Sequence, residues 1–292
     1  MGMLAAMSER AVRRVRELTD GPSVLDGLTG SDLTTFLLDV FRRRARERRP
    51  ADVLRRYRED RFATPGTVDL LSLRRAEDAL LTALPPGTDT VSLAPLVPLG
   101  THWVLGGVDP RKAVATVRGT EVAADSTVGL ALEAAARRTG AGTVRLATTQ
   151  RVTRAQLFDG AGAHFQLFAF VTAGRGPDFE REHLAEHLRF LIEALRGREF
   201  RIALTCLDRQ GEAIAESVRS LPGVVDDPTR ERGRDYYRHL CFKVFLTGGE
   251  DRFEIGDGGF TDWTAKLLSD RKERLLTTAI GVDRLALHAR TG

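Results

Sequence analysis

The sequence predicts an α+β protein in which a mixed sheet is covered by helices and preceded by a helical N-terminal extension. Three observations predict it. Residues 8 to 60 read as helix throughout. Further on, short apolar runs of strand character alternate with amphipathic helices. Some of those runs follow one another as hairpin-like pairs, which a regularly alternating, doubly wound sheet does not contain. With 292 residues, 42% hydrophobic and 29% charged, the chain has enough apolar residues for one large domain or two modest ones.

The extension, residues 1–61, divides into three helical segments: SERAVRRVREL, then SDLTTFLLDVFRRRARER with Ser31 as its cap, then a segment introduced by Pro50. Between Arg42 and Arg61 ten arginines stand against Glu47, Asp52, Glu59 and Asp60, and the whole chain has a net charge of +4. Such a run suits phosphates or an acidic partner. It equally suits a solvated helix face, because acids and helically spaced apolar residues are mixed among the bases. Aromatic residues are not interleaved with the arginines as base stacking would require, so RNA binding is the weaker expectation.

At Phe62 the composition changes, and residues 62–292 are read as the sheet domain. Turn residues in FATPGTVDLL lead into the amphipathic helix LRRAEDALLTAL, which stops at Pro85-Pro86-Gly87. TVSLAPLVPLG is extended, since its prolines forbid a continuous ladder. KAVATVRG and VRLATTQRV read as strands around the helix TVGLALEAAARR, and AHFQLFAFVTAG is an apolar strand ending at Gly174. DFEREHLAEHLRFLIEALRG places Leu184, Leu188, Leu191 and Leu195 on one helical face. FRIALTCL is a buried strand, GEAIAESVRSL a helix, HLCFKVFLT a strand and GFTDWTAKLL a short helix. RLLTTAIGVDRLALHA runs from strand into helix. There is no fixed-period repeat.

Several classes are excluded or disfavoured. No apolar stretch approaches the roughly 20 residues that span a bilayer, and MGMLAAMSERAVRR puts its apolar run before its basic residues, the reverse of a signal peptide. A cytoplasmic location without membrane contact is expected. Cys206 and Cys241 lie in apolar segments and read as buried thiols rather than a staple. His183, Glu186 and His187 have the HxxEH spacing of some zinc peptidases, but no third ligand accompanies them, and a packing helix is the preferred reading. Gly256 to Gly259 is too short for a dinucleotide-binding loop. No metal-binding residue is assigned.

Four ordered stretches carry a resemblance. Arg232-Gly233-Arg234-Asp235-Tyr236-Tyr237 resembles the RGLDYY signature of histidyl-tRNA synthetase, and Ile280-Gly281-Val282-Asp283-Arg284-Leu285 is similar to class II motif 3. Gly258-Gly259 with Asp262 resembles the family's glycine-rich turn, and Phe62 to Leu71 its PxGxxDLLP opening. The chain thus resembles, over residues 62–292, the class II catalytic domain of histidyl-tRNA synthetase and its paralogue, the regulatory subunit of ATP phosphoribosyltransferase. The resemblance implies a mainly antiparallel sheet, ATP and Mg²⁺ as cofactors, and a homodimer formed through the motif 1-like helix Leu73 to Leu84 and the strand ending at Pro95.

It also implies roles. Motif 2 would be Val152-Thr153-Arg154-Ala155-Gln156, a loop around Asp159 to Gly162, then His164-Phe165. Arg154, Arg232 and Arg284 would form the catalytic set around the phosphates, with Gln156, His164, Phe165 and Gly281 completing the ATP site. Asp125 and Thr127 would meet the substrate ammonium, with Leu167, Val171, Tyr236, Tyr237, Gly258 and Gly259 lining the amino-acid pocket. The chemistry needs guanidiniums because carboxylate attack on ATP builds negative charge on a five-coordinate phosphorus, which fixed, permanently charged forks stabilise.

The chain also departs from the family. Gln156 replaces the motif 2 glutamate, and His164 is the remaining candidate for the γ-phosphate. Leu167 and Val171 stand where the family has glutamine and glutamate, a loss of about 1–3 kcal/mol each in hydrogen bonding to a histidine substrate. Phe260-Thr261 replaces Arg-Tyr, and Lys243 a glutamate. The sequence ends eight residues after Arg284, so no anticodon-reading domain is expected. Two functions compete: adenylation of an amino acid or related carboxylate with transfer to a non-tRNA acceptor, such as an amine or carrier protein, or a non-catalytic module acting on a partner enzyme.

Overall fold

The computed structural model describes residues 27–140, 142–156, 162–231, 233–248 and 251–288, with isolated positions 13, 17 and 25. Apart from Arg13 and Glu17, the first helical segment of the sequence reading lies outside the described residues, as does the middle of the motif 2 loop. Helix α1 (Gly30–Arg46) starts where the Thr29 side chain accepts from Asp32 N, so the cap is Thr29 rather than Ser31. Helix α2 (Pro50–Glu59) has Pro50 at its first turn, where the missing N–H costs nothing. Neither helix has a buried residue.

Helix α3 (Leu70–Thr82) is capped by Asp69 and buries Leu73, Ala76 and Leu80. Eight strands then form one sheet: β1 (Asp89–Thr90), β4 (Val144–Thr153), β5 (His164–Gly174), β6 (Phe200–Cys206), β7 (Val224–Asp226), β8 (Tyr237–Gly248), β9 (Asp251–Thr261) and β10 (Arg274–Gly281). Their spatial order is β1-β4-β5-β10-β9-β8-β6-β7. Only the outer pairs β1/β4 and β6/β7 are parallel. A separate ribbon joins β2 (Leu96–Pro98) to β3 (Thr120–Val122).

The remaining helices are α4 (Thr101–Gly106), α5 (Ser126–Arg137), α6 (Phe179–Ala194), α7 (Arg209–Ala215), α8 (Trp263–Leu268) and α9 (Val282–His288). Alternation along the strands sends side chains to two faces. One face presents Phe168, Phe170, Leu276, Ile280, Ile202 and Phe242, which pack with Leu184, Leu188 and Leu191 of α6, with α3 and with α9. Over part of the opposite face, α5 packs on Leu146, Ala169, Val171, Ala173 and Leu275. Beyond α5 the cover thins to Ala123, Val152, Leu167 and Ala279 with Phe165 beside them.

Three segments differ from the sequence reading. KAVATVRG is not a strand: it follows a 3-10 turn at Pro110–Lys112, and the paired residues are Thr120–Val122. THWVLG forms α4, between left-handed Gly100 and Gly107. Gly256, Gly258 and Gly259 lie inside β9, not in a turn. A Cβ at Gly258 would meet Phe242 and the Thr277 carbonyl, and one at Gly256 the Ala279 carbonyl, so glycine here answers close strand approach.

Candidate active site

The partly open face is read most clearly as rows across the sheet. Opposed residues of an antiparallel pair share a face. One row runs Thr148, Ala169, Ala279, Asp257, Lys243. A neighbouring row runs Gln150, Leu167, Gly281. These small and polar side chains floor a cleft at the end of the sheet where β4 finishes, β5 begins and β10 passes into α9.

Arg154 follows β4. Its Nε donates to the Ala124 carbonyl at 3.0 Å, an Nη lies 3.6 Å from Asp125 Oδ2, and its guanidinium stands 5.0 Å over the Phe165 ring. Asp125 caps α5: Oδ1 accepts from Thr127 N at 2.9 Å and from its hydroxyl at 2.7 Å. The peptide before it is held from behind. His102 Nε2 accepts from Ala124 N at 2.9 Å, which leaves Nδ1 as the donor to Glu121 at 2.5 Å. Glu121 also accepts from the backbone of Gly100 and His102, and both His102 and Glu121 are buried. This buried relay sets the position of Asp125 and, through the Ala124 carbonyl, that of Arg154.

At the same end of β5, Gln166 N donates to Asp283 Oδ2 at 2.6 Å, tying the start of α9 to the residue after Phe165. Arg284, next along α9, is exposed and donates to the Glu254 carbonyl at 2.9 Å. His164 Nε2 lies 2.7 Å from the Thr64 carbonyl and Nδ1 2.8 Å from Arg151. The carbonyl can only accept, so Nε2 carries the proton and Nδ1 accepts from Arg151. Gln156 is exposed, and its carbonyl and that of Ala155 accept from Arg61. Residues 61–66 therefore run against the described ends of the motif 2-like loop.

The pocket side contains the tyrosines. Tyr237 is buried and Tyr236 half-buried, with ring centres 4.3 Å apart, and Tyr236 stacks on Trp263 at 5.9 Å. Burial raises the pKa of both, and Asp257 adds to it, so both stay phenols. Leu167 lies on the cleft floor, Val171 is enclosed under α5, and Gly258 turns its Cα hydrogens to the Phe242 side. Gly259, with φ at +157°, packs beside Tyr237 and Cys241. Arg232 lies outside the described residues. The residues brought to one end of the sheet are thus Asp125, Thr127, Arg154, Phe165, Leu167, Gly281 and Arg284, with Tyr236 and Tyr237 alongside.

Three cleft residues escaped the sequence reading. Gln150, opposite Leu167, donates to the Ala94 carbonyl at 2.7 Å, and its Oε1 has no partner among the described residues. Arg230, buried, donates to the Phe242 and Gly233 carbonyls and lies 3.4 Å from Asp257. Asp257 is the third; burial raises its pKa, and only then do Arg230 and the nearby Asp125, Glu254 and Arg154 act on it. Alternation along β9 could have pointed to Asp257, but the glycines around it hid the strand.

The HxxEH residues sit on the closed face. His187 is fully buried with its two nitrogens 2.7 Å from the Thr278 hydroxyl and 2.9 Å from that of Thr172, while Glu186 pairs with Arg145 and His183. Burial raises both thiols, Cys206 and Cys241, to about 11. Among the described residues no three His, Cys, Asp or Glu side chains cluster to hold a metal, and no helix is long and apolar enough to cross a membrane.

This arrangement, a mixed, mainly antiparallel sheet flanked by helices, has the fold of solved histidyl-tRNA synthetase-like structures. Among solved structures, an ATP phosphoribosyltransferase regulatory subunit/histidyl-tRNA synthetase from Bacillus halodurans matches with a TM-score of 0.60 and 16% identity, over 78% of this chain and 82% of that one. A histidine–tRNA ligase subunit from Alicyclobacillus acidocaldarius matches at 0.59 and 16%, over 78% and 98%. The apo histidyl-tRNA synthetase of S. aureus matches at 0.56 and 16%, over 76% and 66%. At such identities the likeness is one of fold. The sequence matches no protein-family model and no curated protein.

Proposed function

We propose that the cleft activates an amino acid or a related carboxylate with ATP, and that the acyl group passes to an acceptor other than a full tRNA, such as an amine or a carrier protein. The observation that carries this reading is the placing of Arg154 against Phe165, and of Arg284 against Gly281, at the edge where β4 ends, β5 begins and β10 passes into α9. A carboxylate oxygen attacks the α-phosphorus, the new O–P bond forms, and the bridging P–O bond to pyrophosphate breaks with its electron pair leaving on pyrophosphate. Arg154, held by Ala124 and Asp125, is a guanidinium already in place for the charge that builds on phosphorus. Arg284 and Phe165 flank the nucleotide, and Arg232 would complete the set.

Asp125 takes the substrate ammonium, with Thr127 orienting its carboxylate. A magnesium ion would arrive with the triphosphate, since such ions keep water and phosphate as most of their ligands and need only one or two carboxylates. Glu254, whose carbonyl Arg284 holds, is the acid on that side. The ion would neutralise phosphate charge. A homodimer through the motif 1-like region fits the exposed Leu70 and Leu71 on α3 and Leu96, Leu99, Trp103 and Val104 near β2. A cytoplasmic location belongs to the same reading.

A second reading, a non-catalytic module that senses a ligand for a partner enzyme, is favoured by one specific set of contacts. His164 has both nitrogens engaged, Gln156 replaces a glutamate, and Arg284 is spent on a carbonyl. Pyrophosphate exchange against a panel of amino acids separates the two. Exchange with at least one amino acid is expected; none, together with no heat of ATP binding, overturns adenylation, and co-purification with an enzyme whose activity changes then supports the second reading.

A further inference from the structure

Asp257 stands in the middle of the cleft floor, and its surroundings ask for a cation. In its row the neighbours on one side are Ala279 and Ala169, and Gly281 and Gly259 occupy adjacent rows. Small residues on that side put little side-chain bulk against the carboxylate. A third of the Asp257 side chain remains open to water, although burial is the main force on its pKa; both hold for an acid at the bottom of a cleft.

Its nearest positive partner serves it poorly. Arg230 gives hydrogen bonds to the Phe242 and Gly233 carbonyls, and its contact with Asp257 Oδ2 is long at 3.4 Å. No other hydrogen bond reaches this carboxylate among the described residues. Lys243, opposite it in the row, pairs with Glu254 at 2.7 Å. Burial outweighs Arg230 in its effect on the acid, so the desolvation of the carboxylate is not offset within the protein. Asp125, by contrast, is engaged with Thr127 and Arg154. Both carboxylates raise the pKa of Tyr236, behind the larger effect of its burial.

We infer that Asp257 is the specificity-determining carboxylate of the cleft, and that the amino acid bound there carries a second positive charge on its side chain, as lysine, ornithine, arginine or protonated histidine does. This rests on the proposed reading in which Asp125 holds the α-ammonium. With Leu167 and Val171 apolar on β5, recognition of the side chain's far end passes to β9. A charge-assisted hydrogen bond to a poorly compensated acid discriminates strongly, because a neutral side chain would leave that acid desolvated and unpaired.

The test is a calorimetric titration of the full chain with L-lysine, L-ornithine, L-arginine and L-histidine, and with L-norleucine as an uncharged analogue, each with and without ATP. Pyrophosphate exchange is run in parallel. At least one basic amino acid should bind roughly tenfold or more tightly than norleucine, and Asp257→Asn should remove about that preference at an unchanged melting temperature. Norleucine binding as tightly as every basic amino acid overturns the inference, as does no binding by any of them. Binding of a basic amino acid without exchange supports the inference while adenylation fails; exchange with neutral amino acids does the reverse. An Asp257→Asn protein that melts far lower but keeps the preference shows the acid to be only a counter-ion for Arg230, and overturns the inference. The wild-type panel decides the charge preference without any variant.

Discussion

The two faces of the same sheet are built from alternate residues of the same strands, yet they have opposite contents. On β5, Phe168 and Phe170 enter a core closed by α3, α6 and α9, whereas Leu167 and Ala169 face the other way, towards the cleft and α5. On β10, Leu276 and Ile280 contrast with Thr277 and Ala279. The closed face holds fully buried aromatics and its polar groups in pairs; the open face holds alanines, glycines and charges at incomplete distances. Stability is concentrated on one face, and the other keeps polar groups short of partners.

The largest expected effect on stability therefore belongs to the closed face. Phe168 is fully buried and stacks on Phe190 at 5.4 Å. Phe168→Ala should cost about 3–5 kcal/mol in urea unfolding. Leu167→Ala, one residue earlier but pointing to the small cleft cluster, should cost only about 2 kcal/mol, the low end for such a truncation. Equal costs would break the contrast between the faces.

Next comes acid sensitivity, again from the closed face. Burial lowers the pKa of His187 to about 3 from an ordinary 6.5, so the folded state holds this ring neutral where the unfolded chain takes up a proton. Stability from this residue is complete above 6.5 and falls by at most about 1.4 kcal/mol per pH unit as pH drops towards 3. Glu186, also buried in part but held at about 2 by His183 and Arg145, adds its own loss only below about 4.5. The window from 6.5 to 4.5 isolates the histidine. His187→Gln should flatten urea midpoints across that window; an unchanged slope would assign it to another group.

How much of this was legible beforehand follows from the same two faces. Strands β5, β8 and β10 and helix α6 announce themselves because their apolar residues are many and regularly spaced, and Leu184, Leu188 and Leu191 are buried as the spacing requires. Arg154, Phe165 and Arg284 were legible only through motif resemblance, not through any periodicity. Strand β9 was not legible. Its glycines, which read as a turn, exist because neighbouring strands leave no room for a Cβ, and that is a property of the pairing. A bulge between Val244 and Phe245 further breaks the alternation of facing residues. Asp257 and Arg230 owe their meeting to this register. Helix α4 was hidden in a short segment between two left-handed glycines, and its partner pair His102 and Glu121 likewise becomes visible only once β3 is placed.

Moving to the open face, Asp125 serves two masters, and a substitution separates them. As the cap of α5 it contributes about 1 kcal/mol, which Asp125→Ala should remove. Asp125→Asn keeps an oxygen for Thr127 N but lacks the charge that pairs with Arg154 and that would hold an ammonium. Melting temperature should return close to that of the parent in Asp125→Asn while amino-acid binding measured by calorimetry remains lost. Recovery of both together would reduce Asp125 to a cap.

The smallest expected effect on stability is at Arg284. The side chain is exposed and its one hydrogen bond among the described residues goes to the Glu254 carbonyl, so Arg284→Ala should change unfolding free energy by no more than about 0.5 kcal/mol. A group that matters so little to the fold, yet stands beside Gly281 on the open face, is where the contrast between the faces is sharpest. If its role is to flank a nucleotide, Arg284→Ala should lower ATP affinity in calorimetry with the melting curve of the unliganded protein unmoved. If it instead pins α9 to β9, the melting curve should shift and any loss of ATP binding should follow that shift across temperature, and the open face would then be built for stability in the same way as the closed one.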